Sequence, residues 1–132
     1  MQGAMAFQKG LGCVHSLSHS LGGVDPRLHH GTLNAMFLPA VVTFNASAES
    51  VKRHRRLERM ARAMGLTSAG DVAPALKDMN ARLGLPTGLG QMGVASASFG
   101  KIIEGALFDH CHKTNPRLAS SADYTELLER SM

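Results

Sequence analysis

Gly12-Cys13-Val14-His15-Ser16-Leu17-Ser18-His19-Ser20-Leu21-Gly22-Gly23, followed shortly by Leu28-His29-His30-Gly31, decides how this chain folds and where its chemistry lies. Working outward from it, apolar residues recur at Ala4, Phe7, Leu11, Val14, Leu17 and Leu21, the three-to-four spacing of a helix with one buried face. Four of the seven histidines fall within these sixteen residues, in otherwise apolar and Gly-rich surroundings. Imidazole titrates near neutrality and is the commonest side-chain ligand of transition metals. His15 and His19 are four apart and so project from the same helix face. After the turn chemistry of Asp25-Pro26-Arg27, His29 and His30 bring further imidazoles back toward that face. The segment reads as half of a metal site.

The rest of the chain fits an all-α, bundle-like domain over residues 1–132, a length that allows a real core. Hydrophobic residues make up 44%, Trp is absent and aromatics are scarce, which favours helices packed through Ala, Leu, Met and Gly over a β-sandwich. The pattern predicts a first helix over Gln2–Leu21, entered without a capping box at Met1-Gln2-Gly3-Ala4 and stopped by Gly22-Gly23. A second helix is expected over Gly31–Phe44, apolar nearly all round and kinked or divided at Pro39. Ser47 and Ser50 are the expected acceptors opening a third, basic helix that closes at Gly65. A fourth runs over Val72–Leu83, with Pro74 in its first turn and Val72, Leu76, Met79 and Leu83 on one face. A fifth spans Ser98–His112, and Ser121-Ala122-Asp123-Tyr124 caps a short last one over Thr125–Arg130.

Charge and cysteines exclude several function classes. The net charge of +4 is local, because Lys52, Arg53, Arg55, Arg56, Arg59 and Arg62 sit together with only Glu58 against them. Val51, Leu57, Met60, Ala61 and Met64 between those charges make this a solvated amphipathic face. It lacks the interleaved aromatics that stack on bases, so no nucleic-acid partner is expected. No apolar run approaches the roughly 20 residues of a membrane span, and no signal peptide is expected. Cys13 and Cys111 are too few for a disulfide framework and read as buried, inert thiols in a reducing cytoplasm.

The remaining histidines have plain explanations. His54 lies in the basic run and is solvated. His110 and His112 flank Cys111 in a short cluster that could bind metal adventitiously, but residues i and i+2 of a helix point to different faces, which favours the plain reading. The early cluster suits zinc, iron, copper or nickel. It lacks a carboxylate, however, with only Asp25 nearby, and two or three imidazoles do not complete a shell.

The string Ala6-Phe7-Gln8-Lys9-Gly10-Leu11 running through His15 and His19 to Gly23, and then His29-His30-Gly31-Thr32-Leu33-Asn34-Ala35 onward to Ala46, resembles the iron-containing (group III) alcohol dehydrogenases. Thr114-Asn115-Pro116-Arg117 also resembles a closing motif of that family. The resemblance implies the C-terminal helical domain of a two-domain NAD- or NADP-dependent oxidoreductase with Fe2+, or Zn2+, in the interdomain cleft. It puts the family's third metal ligand at His15 and the fourth, the histidine immediately before Gly, at His30 rather than the adjacent His29. His19 matches a residue near nicotinamide and substrate, which implies a proton-handling, catalytic role and not ligation. Spacing alone pairs His15 with His19, and the two readings differ there. Ser20 stands where many members have Pro, which should touch only local helix geometry, and the Gly22–His30 loop is one residue longer than in many relatives.

The family's nucleotide-binding domain and its first two ligands, an Asp and a His, have no counterpart in these residues, and no Gly-rich phosphate loop or βαβ unit is present. The expected partners are therefore an N-terminal domain that precedes this one and a small alcohol, aldehyde or ketone substrate. The isolated chain is expected to be inactive. An alternative is a stand-alone helical interaction module, and a homo-oligomer could join His15 and His30 of two copies in one site.

Overall fold

The computed structural model describes Met5, Gln8 and residues 10–132. Among them are seven α-helices and no strand: α1 (Gly12–Val24), α2 (His30–Asn45), α3 (Glu49–Arg53), α4 (Arg56–Ala63), α5 (Val72–Arg82), α6 (Phe99–Phe108) and α7 (Ser121–Glu129). Short 3-10 turns precede α5 and α6 and follow α6. The start expected at Gln2, with Ala4 and Phe7 in its pattern, lies outside the described residues.

Helix α2 is the centre of the domain, and its apolar circumference is the cause. Its Leu33, Met36, Phe37, Ala40 and Val41 join Leu17 and Leu21 of α1, Ile102, Ile103 and Ala106 of α6, and Tyr124, Leu127 and Leu128 of α7 in the main core. Its other side, through Leu38 and Val42, meets Ala61 of α4 and Val72 and Leu76 of α5 in a smaller cluster. Each fully buried Leu or Phe in such a core contributes about 1.5–3 kcal/mol relative to exposure.

Pro39 neither ends nor divides α2. A proline there cannot donate to the carbonyl four residues earlier. That carbonyl, on Ala35, instead accepts the Asn80 side-chain amide of α5 at 2.8 Å. The irregularity of one helix thus becomes its attachment to another.

Several ends differ from expectation. Gly22-Gly23 does not stop α1, which continues to Val24. The break comes at Asp25, held in extended backbone (φ −134°, ψ 94°) because a residue before proline is driven out of the helical region. The basic segment is two helices, not one. Arg55 between them is left-handed (φ 47°), which interrupts a run whose like charges three and four apart would repel on a continuous helix. Its entry is Ala48, without a side-chain cap, while Ser47 Oγ bonds back to the Phe44 carbonyl. Met79 and Leu83 of the predicted fourth face are exposed; only Val72 and Leu76 are buried.

The fifth helix stops at Phe108, four residues early. Asp109 is extended (φ −65°, ψ 139°), and its carboxylate accepts the Cys111 N–H at 2.8 Å, a local bond that competes with helix continuation. The last helix carries a full capping box, one residue ahead of the expected cap: Ser120 accepts from the Asp123 N–H, and the Asp123 carboxylate accepts from the Ser120 N–H.

Two close approaches fix α1. Its first turn lacks a local cap, and the sequence-distant end of the chain supplies one: the Cys13 N–H donates to Asn115 Oδ1 at 3.1 Å. Asn115 also exchanges amide hydrogen bonds with Asn45 at the end of α2 and donates to the Arg117 carbonyl. Gly12 (φ +70°) permits this contact, since a Cβ there would press on the Asn115 amide. Arg117 then lies 4.0 Å over the Phe44 ring and pairs with Asp123. Further along α1, Ser20 Oγ donates to the Ile102 carbonyl of α6 at 2.7 Å. Ser20 is therefore an interhelical contact, not the purely local feature expected. It fits because Gly105 opposite has no Cβ; one would overlap the Ser20 hydroxyl.

Candidate metal centre

The packing of α1 on α2 and α6 gathers histidines from three parts of the chain. His15 and His19 come from α1, His30 from the first residue of α2, and His110 from the turn after α6. Ring centroids lie 5.3 Å apart for His15–His30, 5.6 Å for His15–His19, 5.2 Å for the stacked His19–His30 and 5.9 Å for the stacked His19–His110. His29 and His54 are exposed and outside the cluster. His112 is buried elsewhere, with its Nδ1 2.9 Å from the Tyr124 hydroxyl.

Asn34, one turn after His30 on α2, organises two of these rings. Its Nδ2 lies 3.0 Å from His30 Nε2 and 3.4 Å from His15 Nε2. An amide nitrogen only donates, so both Nε2 atoms present lone pairs toward one point. This sets the tautomers: His30 carries its proton on Nδ1, 3.3 Å from Ser18 Oγ, and Ser18 Oγ in turn donates to the His15 carbonyl at 3.2 Å. His15 Nδ1 and Asn34 Oδ1 are buried without a hydrogen-bond partner. Burial first, and then the neighbouring His30 and His19, hold the His15 pKa below its ordinary 6.5. A neutral imidazole is what a metal ligand must be.

His19 faces a different partner. Its Nδ1 meets Asp109 Oδ2 at 3.0 Å, while Asp109 Oδ1 takes the Cys111 N–H and lies 3.5 Å from Ser16 Oγ. Burial raises the Asp109 pKa, but hydrogen bonds from His19 and Cys111 outweigh it, and the carboxyl sits below its ordinary value. The carboxylate missing from the early segment is thus supplied by Asp109, ninety residues downstream of His19. Asp25, the only acid near the cluster in sequence, is occupied by Arg27 through Oδ2–NH2 and Oδ1–Nε contacts of 2.7 and 2.9 Å, which hold its pKa down to about 2.

Asn34, Asp109 and the place of His110 in the cluster escaped the sequence reading. Asn34 stands in the His-Gly-x-x-Asn-Ala string, four residues after His30, and that helical spacing was the available signal. Asp109 and His110 were concealed by the expectation that α6 continues to His112. The clustering of Asp109, His110, Cys111 and His112 was the only hint.

Comparison with known proteins agrees along the whole chain. The model of the Fe-containing alcohol dehydrogenase family, C-terminal part, matches residues 1–132. The chain is 64% identical over 136 aligned residues to 4-hydroxybutyrate dehydrogenase of Cupriavidus necator, covering all of this chain and 36% of that protein. It is 32% identical to the NAD-dependent methanol dehydrogenase of Bacillus methanolicus, covering all of this chain and 35% of that one. Among solved structures, a 1,3-propanediol oxidoreductase superposes with a TM-score of 0.82 at 28% identity, over 92% of this chain and 33% of that one. The chain therefore spans about a third of the length of these relatives.

Proposed function

This chain belongs to the Fe-containing alcohol dehydrogenase family, and from that premise we propose that it is the metal- and substrate-binding helical part of an NAD- or NADP-linked dehydrogenase acting on an alcohol. The observation carrying the proposal is the convergence of the His15 and His30 Nε2 lone pairs on the Asn34 amide. Two neutral imidazoles aimed at one polar point, with orphaned polar atoms on His15 and Asn34 beside them, fit half of a divalent-metal shell. His15 and His30 would hold Fe2+ or Zn2+ together with donors from outside this chain. When bound, such a metal supplies Lewis-acid polarisation of the alcohol oxygen, and the nicotinamide supplies the hydride chemistry.

The protein's own part is positional. Ser18 orients His30, and Asn34 sets the approach of both Nε2 atoms. Asp109 holds the Nδ1 side of His19, leaving His19 Nε2 as the atom that takes up or releases the substrate hydroxyl proton. The family's requirement for a second, nucleotide-binding portion supports the view that these residues alone do not turn over substrate. The 64% identity to a 4-hydroxybutyrate dehydrogenase makes ω-hydroxy acids the first substrates to try. Two free, buried thiols support a reducing, cytoplasmic setting.

Anaerobic titration calorimetry tests the metal assignment. Fe2+ or Zn2+ should bind weakly at His15 and His30, and His15→Ala and His30→Ala should each remove that one equivalent of bound metal. Unchanged affinity in both variants would remove the assignment. Activity is tested by co-producing the chain with the N-terminal two thirds of the Cupriavidus necator relative and assaying 4-hydroxybutyrate with NAD and NADP. Turnover should require both pieces and fall in His19→Ala.

A further inference from the structure

We propose that His19, Asp109 and Cys111, with His110 closing over them, form a second cation position beside the His15–His30 pair, one that takes a thiophilic divalent metal such as Zn2+ through a thiolate.

Each of the three residues offers a donor atom, and these atoms all lie within 4.8 Å of one another. Nitrogen, carboxylate oxygen and sulfur are the three donor types that zinc accepts, and a tetrahedral shell separates neighbouring donors by about 3.3–3.8 Å. The contacts already approach that scale: 3.0 Å between His19 Nδ1 and Asp109 Oδ2, and 3.3 Å between Cys111 Sγ and His110 Nε2. The fourth donor is free to adjust. The His110 side chain is 83% exposed and stacks on His19 at 5.9 Å, so a small rotation brings an imidazole nitrogen onto the shared point.

The backbone prepares the arrangement. The turn that ends α6 binds the Cys111 N–H to Asp109 Oδ1, which holds carboxylate and thiol on the same side of the chain. The second carboxylate oxygen is directed at His19 Nδ1; the cation takes the place of the proton between them, so an occupied position leaves the proton on His19 Nε2 and excludes the proton-handling role proposed above. Cys111 has no disulfide partner. Entry of the cation displaces the thiol proton to solvent, as metal binding to cysteine does generally. The His15–His30 pair differs in kind, since it contains no sulfur.

The probe is Co2+, added to the reduced full chain. A thiolate ligand to cobalt gives a near-ultraviolet charge-transfer band that nitrogen and oxygen donors do not. The band should appear in the unaltered chain and in Cys13→Ser, and should vanish in Cys111→Ser with the helical circular dichroism intact. His110→Ala, at an exposed position, should weaken cobalt binding by at least about tenfold, the smallest loss usual for removing even a ligand's supporting partner. His15→Ala and His30→Ala should leave the band in place, so this position and the one proposed above are read separately. If Cys111→Ser fails to fold, Cys13→Ser decides, because the chain has only these two cysteines. Absence of the band in the unaltered chain, its persistence in Cys111→Ser, or its loss from folded Cys13→Ser would overturn the proposal.

Discussion

His19 and Asp109 meet at 3.0 Å, Nδ1 to Oδ2, although ninety residues of chain separate them. The contact exists because α1 lies along α6 and α6 ends one residue before the acid. It brings a carboxylate to the histidine cluster and engages the Nδ1 side of His19, not Nε2.

Replacing Asp109 with Asn keeps the shape and removes the charge. The half-exposed imidazole limits the value of the pair, so the cost should be about 1 kcal/mol. The folded Asp109 carboxyl titrates below its ordinary 3.8. Its stabilisation is therefore present above that value and is lost as pH falls through the folded one. Urea melts at stepped pH below 5 should show a shallower loss of stability in Asp109→Asn than in the parent; identical slopes would contradict this.

His15 predicts a separate window. Its folded pKa lies below 6.5, so from 6.5 downward the unfolded chain binds a proton that the folded chain resists. Stability should decline with pH from about 6.5 until the folded value is reached. Thermal melts between pH 7.5 and 5.5 should record that decline, and His15→Gln should flatten it.

Gly105→Ala sets a methyl against Ser20 Oγ. Forcing α1 and α6 apart should cost about 1–3 kcal/mol in chemical denaturation. Ser20→Gly in the same chain should restore part of the loss, and an additive double variant would show that the two residues do not meet.

Asn80→Ala strips the Ala35 carbonyl of its donor at 2.8 Å and should cost about 1–2 kcal/mol. In a Pro39→Ala background the main chain regains an N–H for that carbonyl, and the same substitution should cost measurably less. A double-mutant cycle gives the difference directly.

Metal binding at His15 and His30 must release both Nε2 atoms from Asn34. Zn2+ should therefore shift the Asn34 side-chain amide resonances in nitrogen–proton spectra while those of Asn80 stay fixed, and a chelator should reverse the change. Unmoved Asn34 signals at saturating metal would count against the two imidazoles as ligands.

Much of this was legible in the sequence, for identifiable reasons. The helical class follows from the spacing through Leu11, Val14, Leu17 and Leu21, and the buried position of α2 from its apolar circumference. His15, His19 and His30 fall within sixteen residues, so local periodicity brings them near one another. What local reasoning missed is settled by longer-range terms. Pro39 stays inside α2 because Asn80 arrives from another helix, and Gly22-Gly23 remain helical because the decisive break belongs to Asp25-Pro26. Asp109 ends α6 through its own side chain, and that ending carries the acid to His19.

The bond from the Cys13 N–H to Asn115 Oδ1 bears on timing as well as on stability. During synthesis, α1 emerges about a hundred residues before the amide that caps it, or roughly 5–20 s earlier at ordinary elongation rates. Over that interval its first turn lacks this cap, and until Asp109 emerges the histidine cluster lacks its carboxylate. The nascent chain can therefore hold helices, but it closes this site only when the Asn115 region leaves the ribosome. A truncation before that point should leave the imidazoles in an unfastened, protease-sensitive segment.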